Sequence, residues 1–362
     1  MSDAPRPRSG PAPRRREGFL LPLVLVALLL VATLASATGL GAWRAMRAAR
    51  LAWNGERAVQ AADEAIASTM ATWDGETFAA RDVGARWSAS VNTANGGSVA
   101  VNSVRLSPLV VAIDATSQSR VRGSPDTAGR RVARVLALEP PRFPLPGALT
   151  VLGDATIDEG ALLDGRDESW MTDGCGPTRD TASVPGVYAG IVSVNGAPRL
   201  FGAPSVIALG SAPALDPERA IVDGALTQAR SRITRRDALV APSSLPPRVP
   251  WTARIVTGVD LLAPGRVTLL AASSHEGLVL IDGDLRLQGT LRVRGLLLVT
   301  GSVNAQDGAL EVDGGVLVRD SGALGSWFGM GVRVRHSPCL IGRALATIAR
   351  PRIAPFSLWA AR

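Results

Sequence analysis

The 362-residue chain carries 39 basic against 31 acidic side chains, a formal charge of +8, with 46% hydrophobic and 4% aromatic residues. That hydrophobic content excludes a long disordered chain, and the length is enough to bury a core without metal or a dense disulfide framework, which two cysteines would not build. Every basic residue is arginine; beyond the leader the arginines are scattered among Asp and Glu with no interleaved aromatics, which argues against a nucleic-acid platform, and two histidines leave little for acid/base or metal chemistry.

Residues 1–17 form a Pro-rich leader with Arg6, Arg8, Arg14, Arg15 and Arg16, and Gly18 through Trp43 carry no charge. A helix rising 1.5 Å per residue crosses about 30 Å of hydrocarbon in about 20 apolar residues, so this run is long enough to span, with the basic end held in the cytoplasm and the rest exported. Ala35-Ser36-Ala37 offers a second reading, a signal-peptidase site releasing a soluble protein from Thr38. Against cleavage there, a helical pattern continues unbroken through Trp43, Met46, Ala49, Trp53, Val59, Ala62, Ile66, Met70 and Trp73. The pattern predicts one transmembrane and amphipathic helix over 18–76, with Trp43, Met46, Trp53, Ile66, Met70 and Trp73 as packing residues. An ordinary core helix has the same period.

From residue 77 short alternating runs broken by Asn95-Gly96, Ser-Pro and Pro-Asp predict an antiparallel sheet over 77–140, with Asn95-Gly96 as a hairpin turn. Glu139 to Pro146 read as a linker. Over 141–330 the sequence repeats: passes begin at Gly277, Gly295 and Gly314, steps of 18 and 19 residues, and a related stretch occupies 147–164. Leu285, Leu287, Leu291 and Val293 alternate as inward-facing residues of a β-solenoid, with Gly and Asp at its corners. An insertion at about 166–276 is expected to interrupt it. Inside that insertion Asp216-Pro217-Glu218 is an N-cap, N1 and first-turn acid for a helix. Residues 331–362 are expected to be a tail with a short helix, Leu340 to Ile348. The whole is α+β to mostly β.

Catalytic and metal motifs are lacking. Asp154, Asp158, Asp164 and Asp167, or Asp282 and Asp284, have the hard-oxygen chemistry of calcium ligands, but short acids at turns also cap the backbone, and no calcium repeat is present. His275 lies beside Glu276 and near Ser273 and Ser274, yet neighbours on a strand point apart. His336 and Cys339 are too few ligands for zinc. In an oxidising compartment Cys175 and Cys339, the two cysteines of the chain, are expected to pair.

Arg14-Arg15-Arg16-Glu17-Gly18-Phe19 ahead of an apolar helix resembles a type IV prepilin leader. The following stretch, with Arg47, Arg50, Leu51, Asn54, Arg57, Ala58, Gln60, Ala61, Ala62, Glu64 and Ala65, resembles PilX-type pilus assembly proteins with a large C-terminal β-rich region. Further matches are the Asp164 to Asp167 run ahead of a cysteine, Val184-Pro185-Gly186, and a terminal Cys helix followed by Trp359. The resemblance implies processing between Gly18 and Phe19 by a prepilin peptidase and a methylated Phe19. It also implies packing among other pilin-like subunits, and residence in the inner membrane or a surface pilus with the bulk periplasmic. Leu23 stands where main prepilins carry Glu, which points to a minor, initiating or tip subunit. No enzymatic activity, cofactor, metal or nucleic acid is expected. The alternative is a membrane-anchored or secreted β-helix protein acting on or binding an extracellular polysaccharide.

Overall fold

The computed structural model describes residues 20–94, 97–120, 127–167, 183–210, 212–236, 251–257, 266–270, 272–320 and 325–355. Gly18, Phe19, Cys175, Trp359 and the Asn95-Gly96 turn lie outside them. By internal contacts the chain forms two units, residues 1–58 with 118–129, and residues 59–117 with 130–362.

Helix α1 runs unbroken over Leu20–Ala71, 52 residues. In the first unit its residues 21–53 are exposed all round. In the second unit its surface becomes one-sided: Ala62, Ala65 and Ile66 are buried, with Val59 and Met70 half-buried beside them, and Trp73, two residues past its end, packs on the same cluster. That stripe recurs every three or four residues, as one face of a helix must. A short helix α2 (Gly75–Ala79) follows, capped by Asp74, whose carboxylate accepts from the amides of Glu76 and Thr77.

Four antiparallel strands come next: β1 (Arg86–Asn92), β2 (Ser98–Ser107), β3 (Val110–Arg120) and β4 (Thr127–Glu139). β1 pairs with β2 from Arg86↔Val104 to Asn92↔Ser98, so the strands flanking the expected hairpin turn are in place. Val99, Val101, Val111, Ile113, Val132 and Leu136 point inward onto Ala62, Ala65 and Ile66. An ion pair between Asp63 and Arg134, 3.0 Å, ties helix to sheet.

The remaining strands are β5 (Leu149–Ile157), β6 (Leu162–Asp164), β7 (Val187–Val194), β8 (Arg199–Phe201) and β9 (Val206–Ala208), then helix α3 (Asp216–Arg232) and β10 (Arg235–Arg236). They continue with β11 (Thr252–Thr257), β12 (Arg266–Leu269), β13 (Ser273–Asp282), β14 (Asp284–Leu287), β15 (Thr290–Val299) and β16 (Val303–Ala305). Last come β17 (Ala309–Val318), β18 (Ser326–Phe328), β19 (Val332–His336), helix α4 (Pro338–Ala346) and β20 (Arg350–Ile353). β5 to β19 form one 15-stranded sheet of parallel pairs. Gly277 pairs with Gly295 and Gly295 with Gly314, the 18- and 19-residue steps of the sequence repeat. All three adopt φ between 120° and 141°, and a Cβ on any of them would overlap a backbone carbonyl of the preceding pass, so only glycine fits. Leu285, Leu287, Leu291, Val293 and Leu297 are sealed inside, as the alternation predicts.

The stretch assigned to an insertion, 166–276, is corrected by the strand pairings. β7, β8 and β9 continue the sheet beyond β5 and β6, and β10, β11 and β12 continue it beyond β13 and β14. β17 pairs directly with β5, so the last regular pass lies on the first, and α3 stands between β9 at one end of the strand order and β10 at the other. The sequence hid this because the steps there are irregular: Leu149 pairs with Val187 and Thr252 with Gly277, 38 and 25 residues apart. The helix itself begins one position earlier than expected: Asp216 is its first residue, Leu215 occupies the cap position, and Asp216 bonds Arg219.

The segment expected to be a tail is interior. β19 pairs with β17 and β6, and β20 joins the antiparallel sheet beside β4. Between them α4, started by Ser337 as N-cap and Pro338 in the first turn, covers β13, β15 and β17. Cys339, Leu340, Ile341, Ala344 and Leu345 seal the outward faces of Leu278, Leu280, Leu296 and Leu298.

Candidate functional site

The most extensive apolar surface is the exposed part of α1. Leu20 to Trp43 is uncharged, and 24 residues at 1.5 Å each span about 36 Å, more than the roughly 30 Å of a hydrocarbon layer. An 18-residue window of this helix reaches a mean hydropathy of 2.4 with none of it buried. Its hydroxyls are satisfied within the helix: Thr33 donates to the Leu30 carbonyl at 2.9 Å, Ser36 to Ala32 at 2.7 Å and Thr38 to Leu34 at 3.0 Å. Such back-bonding leaves no polar side chain seeking water, a requirement in a medium without it. Ala35-Ser36-Ala37 is an uninterrupted part of the same helix.

The apolar run ends at Trp43, and Arg44, Arg47 and Arg50 follow on the same helix. The Arg47 guanidinium lies 5.5 Å from the Trp43 ring centroid, and Arg50 contacts the Met46 sulfur at 3.6 Å. The six expected packing residues therefore separate. Trp43, Met46 and Trp53 are 56%, 54% and 64% exposed, whereas Ile66, Met70 and Trp73 pack into the chain's own core. Periodicity was the same for both groups; what differs is the presence of a sheet to receive the second.

Four of the acidic residues considered as calcium ligands, Asp158, Asp164, Asp282 and Asp284, are engaged by neighbouring donors. Asp284 accepts from the Ser302 amide at 2.7 Å and its hydroxyl at 3.0 Å, binding one pass to the next. Asp282 pairs with Arg230, and Asp158 accepts from Asn195 Nδ2 at 2.9 Å and from Trp327 Nε1. Asp164 is buried and gripped by Arg166, which holds its carboxyl below the usual carboxylate range. Among the described residues no three His, Cys, Asp or Glu side chains are grouped to hold a metal.

Ser273 and His275 are two apart on β13 and so share a face; Ser273 Oγ and His275 Nε2 are 2.7 Å apart. They are 3% and 7% exposed and turn into the stack, while Glu276 faces the other way and pairs with Arg294 at 2.8 Å. The contact is a buried one inside the stack. His336 is likewise buried, and burial holds its imidazole below the usual value against the opposing charge of Asp167. Cys339 is buried in the first turn of α4.

A polar joint escaped the sequence reading. Arg105, fully buried, donates to the carbonyls of Phe78, Ala79, Arg81 and Pro108 and stacks on Phe78. Arg343 of α4 donates to the same Ala79 carbonyl, at 3.1 Å, and stacks on Trp251. Burial, and then the like charge of Arg343, lower the Arg105 pKa to about 9, with Asp82 opposing. The available signal was position: Arg105 continues the inward row Val99, Val101, Ser103 of β2.

No protein-family model matches the chain, and no curated protein matches it. Among solved structures it is similar to the competence-associated pilin ComZ from Thermus thermophilus, at 11% identity over 89% of this chain and 95% of that one, with a TM-score of 0.19. An overlap that loose bears on neither fold nor function.

Proposed function

We propose that this chain is a non-enzymatic, minor pilin-like subunit or assembly factor of a type IV pilus or related secretion machine. The observation that carries the reading is α1: uncharged to Trp43 and exposed on every side over residues 21–53, then one-sided and packed against a sheet from Val59 onward. A helix apolar all round calls for lipid or neighbouring helices. The Arg14 to Phe19 sequence supplies the leader such a subunit needs.

In this reading a prepilin peptidase cleaves after Gly18 at the inner membrane. Residues 21–53 then exchange lipid for other pilin-like helices, and the bulk of the chain lies in the periplasm or on a surface pilus. The parallel passes form a PilX-like β-solenoid whose bulk caps or decorates a fibre rather than repeating along it. A Cys175–Cys339 disulfide would tie Cys175 to α4. The role is positional rather than chemical.

Intact-mass analysis with N-terminal sequencing of native protein tests the reading. A chain beginning at methylated Phe19 is the expected result. A chain beginning at Met1 or Thr38 would overturn it, the latter in favour of a secreted protein.

A further inference from the structure

A groove of about 730 Å³ opens between the end of β4 with its Pro140-Pro141 continuation, α3 and β20. Its apolar wall includes Phe143 and Ile221, the latter 53% exposed although it lies on a helix with buried neighbours at Val222, Ala225 and Leu226. On the same side of α3 Gly224 leaves open space: a Cβ built there would meet nothing within 4 Å. The rim is cationic. Arg142, Arg232 and Arg352 line the groove against one acidic lining residue, Glu139, and Arg350 lies near enough to repel Arg232.

These charges are unequally engaged. Arg352 pairs with Glu139 at 3.0 Å, and Arg232 donates to the carbonyls of Glu139 and Ile348 at 3.1 and 3.0 Å. Arg142 has no partner among the described residues. Burial first, and then Arg350, hold the Arg232 guanidinium below its usual range, with Glu139 opposing, so the positive field here is only partly neutralised.

We propose that this groove binds an extended acidic segment of a partner protein, carboxylates meeting Arg142 and Arg352 and aliphatic side chains covering Ile221 and Phe143. Three observations favour a peptide. The volume suits several side chains, where a free phosphate would fill a small part and ignore the apolar wall. A polysaccharide is held by aromatic platforms and side-chain amides, and the lining offers one aromatic ring, Phe143, and one amide, Gln228. Arginine forks match carboxylates two bonds at a time. The inference does not rest on α1, so it stands or falls separately from the anchor.

The test uses the full chain in detergent micelles and a dye-labelled peptide of alternating Glu and Leu, read by fluorescence anisotropy against empty micelles. Binding should weaken as salt rises. Arg142→Glu should reduce affinity about tenfold by reversing a rim charge. Gly224→Leu, which fills the groove while favouring the helix, should reduce it at least as much, with thermal melts confirming that both variants fold. Binding unchanged in either folded variant, absence of binding, or equal binding of a Lys-Leu peptide overturns the proposal. So does displacement of the peptide by inorganic phosphate or polygalacturonate at equal charge, which would assign the rim to a free anion or a polysaccharide.

Discussion

Residues 21–53 and residues 273–318 are both rich in leucine and valine, yet the first stretch is exposed throughout and the second seals nearly all its large apolar side chains. The difference lies in how each conformation distributes its side chains. A strand sends alternate residues to opposite faces, so successive passes stacked in register enclose one row, and α4 covers the outward row of β13, β15 and β17. A helix with apolar residues all around has no face to turn toward water, and nothing short of a ring of partners can cover it. Apolar content alone therefore says little; a segment becomes core where its conformation gathers apolar side chains on one face and another element covers that face.

The comparison breaks most visibly at the helix. Placing two charges in the apolar run with Leu29→Arg and Leu30→Arg should cost about 5 to 7 kcal/mol of membrane partitioning, on a scale of 2.5 to 3.5 per charge at the centre of a span. The measurement is alkaline extraction of membranes, with the wild-type chain retained and the variant released. If both are retained equally, residues 21–53 are not the anchor. In the stack, Leu297→Ala should destabilise by about 2 to 5 kcal/mol through lost transfer energy and a residual cavity, read from denaturant melts. A tolerant Leu297 would mean that the stack relaxes around it.

Smaller effects sharpen the same contrast at the corners and on the outer face. Arg166 holds the Asp164 carboxyl below its unfolded value of 3.8, so their pairing stabilises the fold above that pH and is lost as pH falls through the lower folded value. Asp164→Asn should remove under about 1 kcal/mol near neutrality, because Arg166 is half exposed, and should flatten the acid limb of a stability–pH profile. Arg286, on the outer face and 3.5 Å from Asp307, should tolerate alanine within about 0.5 kcal/mol. A loss comparable to that of Leu297→Ala would show that inward and outward rows have been exchanged.

The sequence by itself determined what depends on local periodicity. The uncharged run to Trp43 specified a long helix, the Gly277, Gly295 and Gly314 spacing specified parallel passes in register, and the alternation Leu285, Leu287 specified which side chains turn inward. Only the tertiary structure decided what depends on contacts between distant segments. It separated Trp43, Met46 and Trp53 from Ile66, Met70 and Trp73, though all six follow one helical period, because a sheet lies against the second group. It joined β17 to β5, brought β20 beside β4 and buried Arg105 among carbonyls about 25 residues away in sequence. The groove beside α3 is of the same kind: its walls come from three stretches that no spacing relates, and its vacant side is a glycine whose open neighbourhood exists only once the chain has folded.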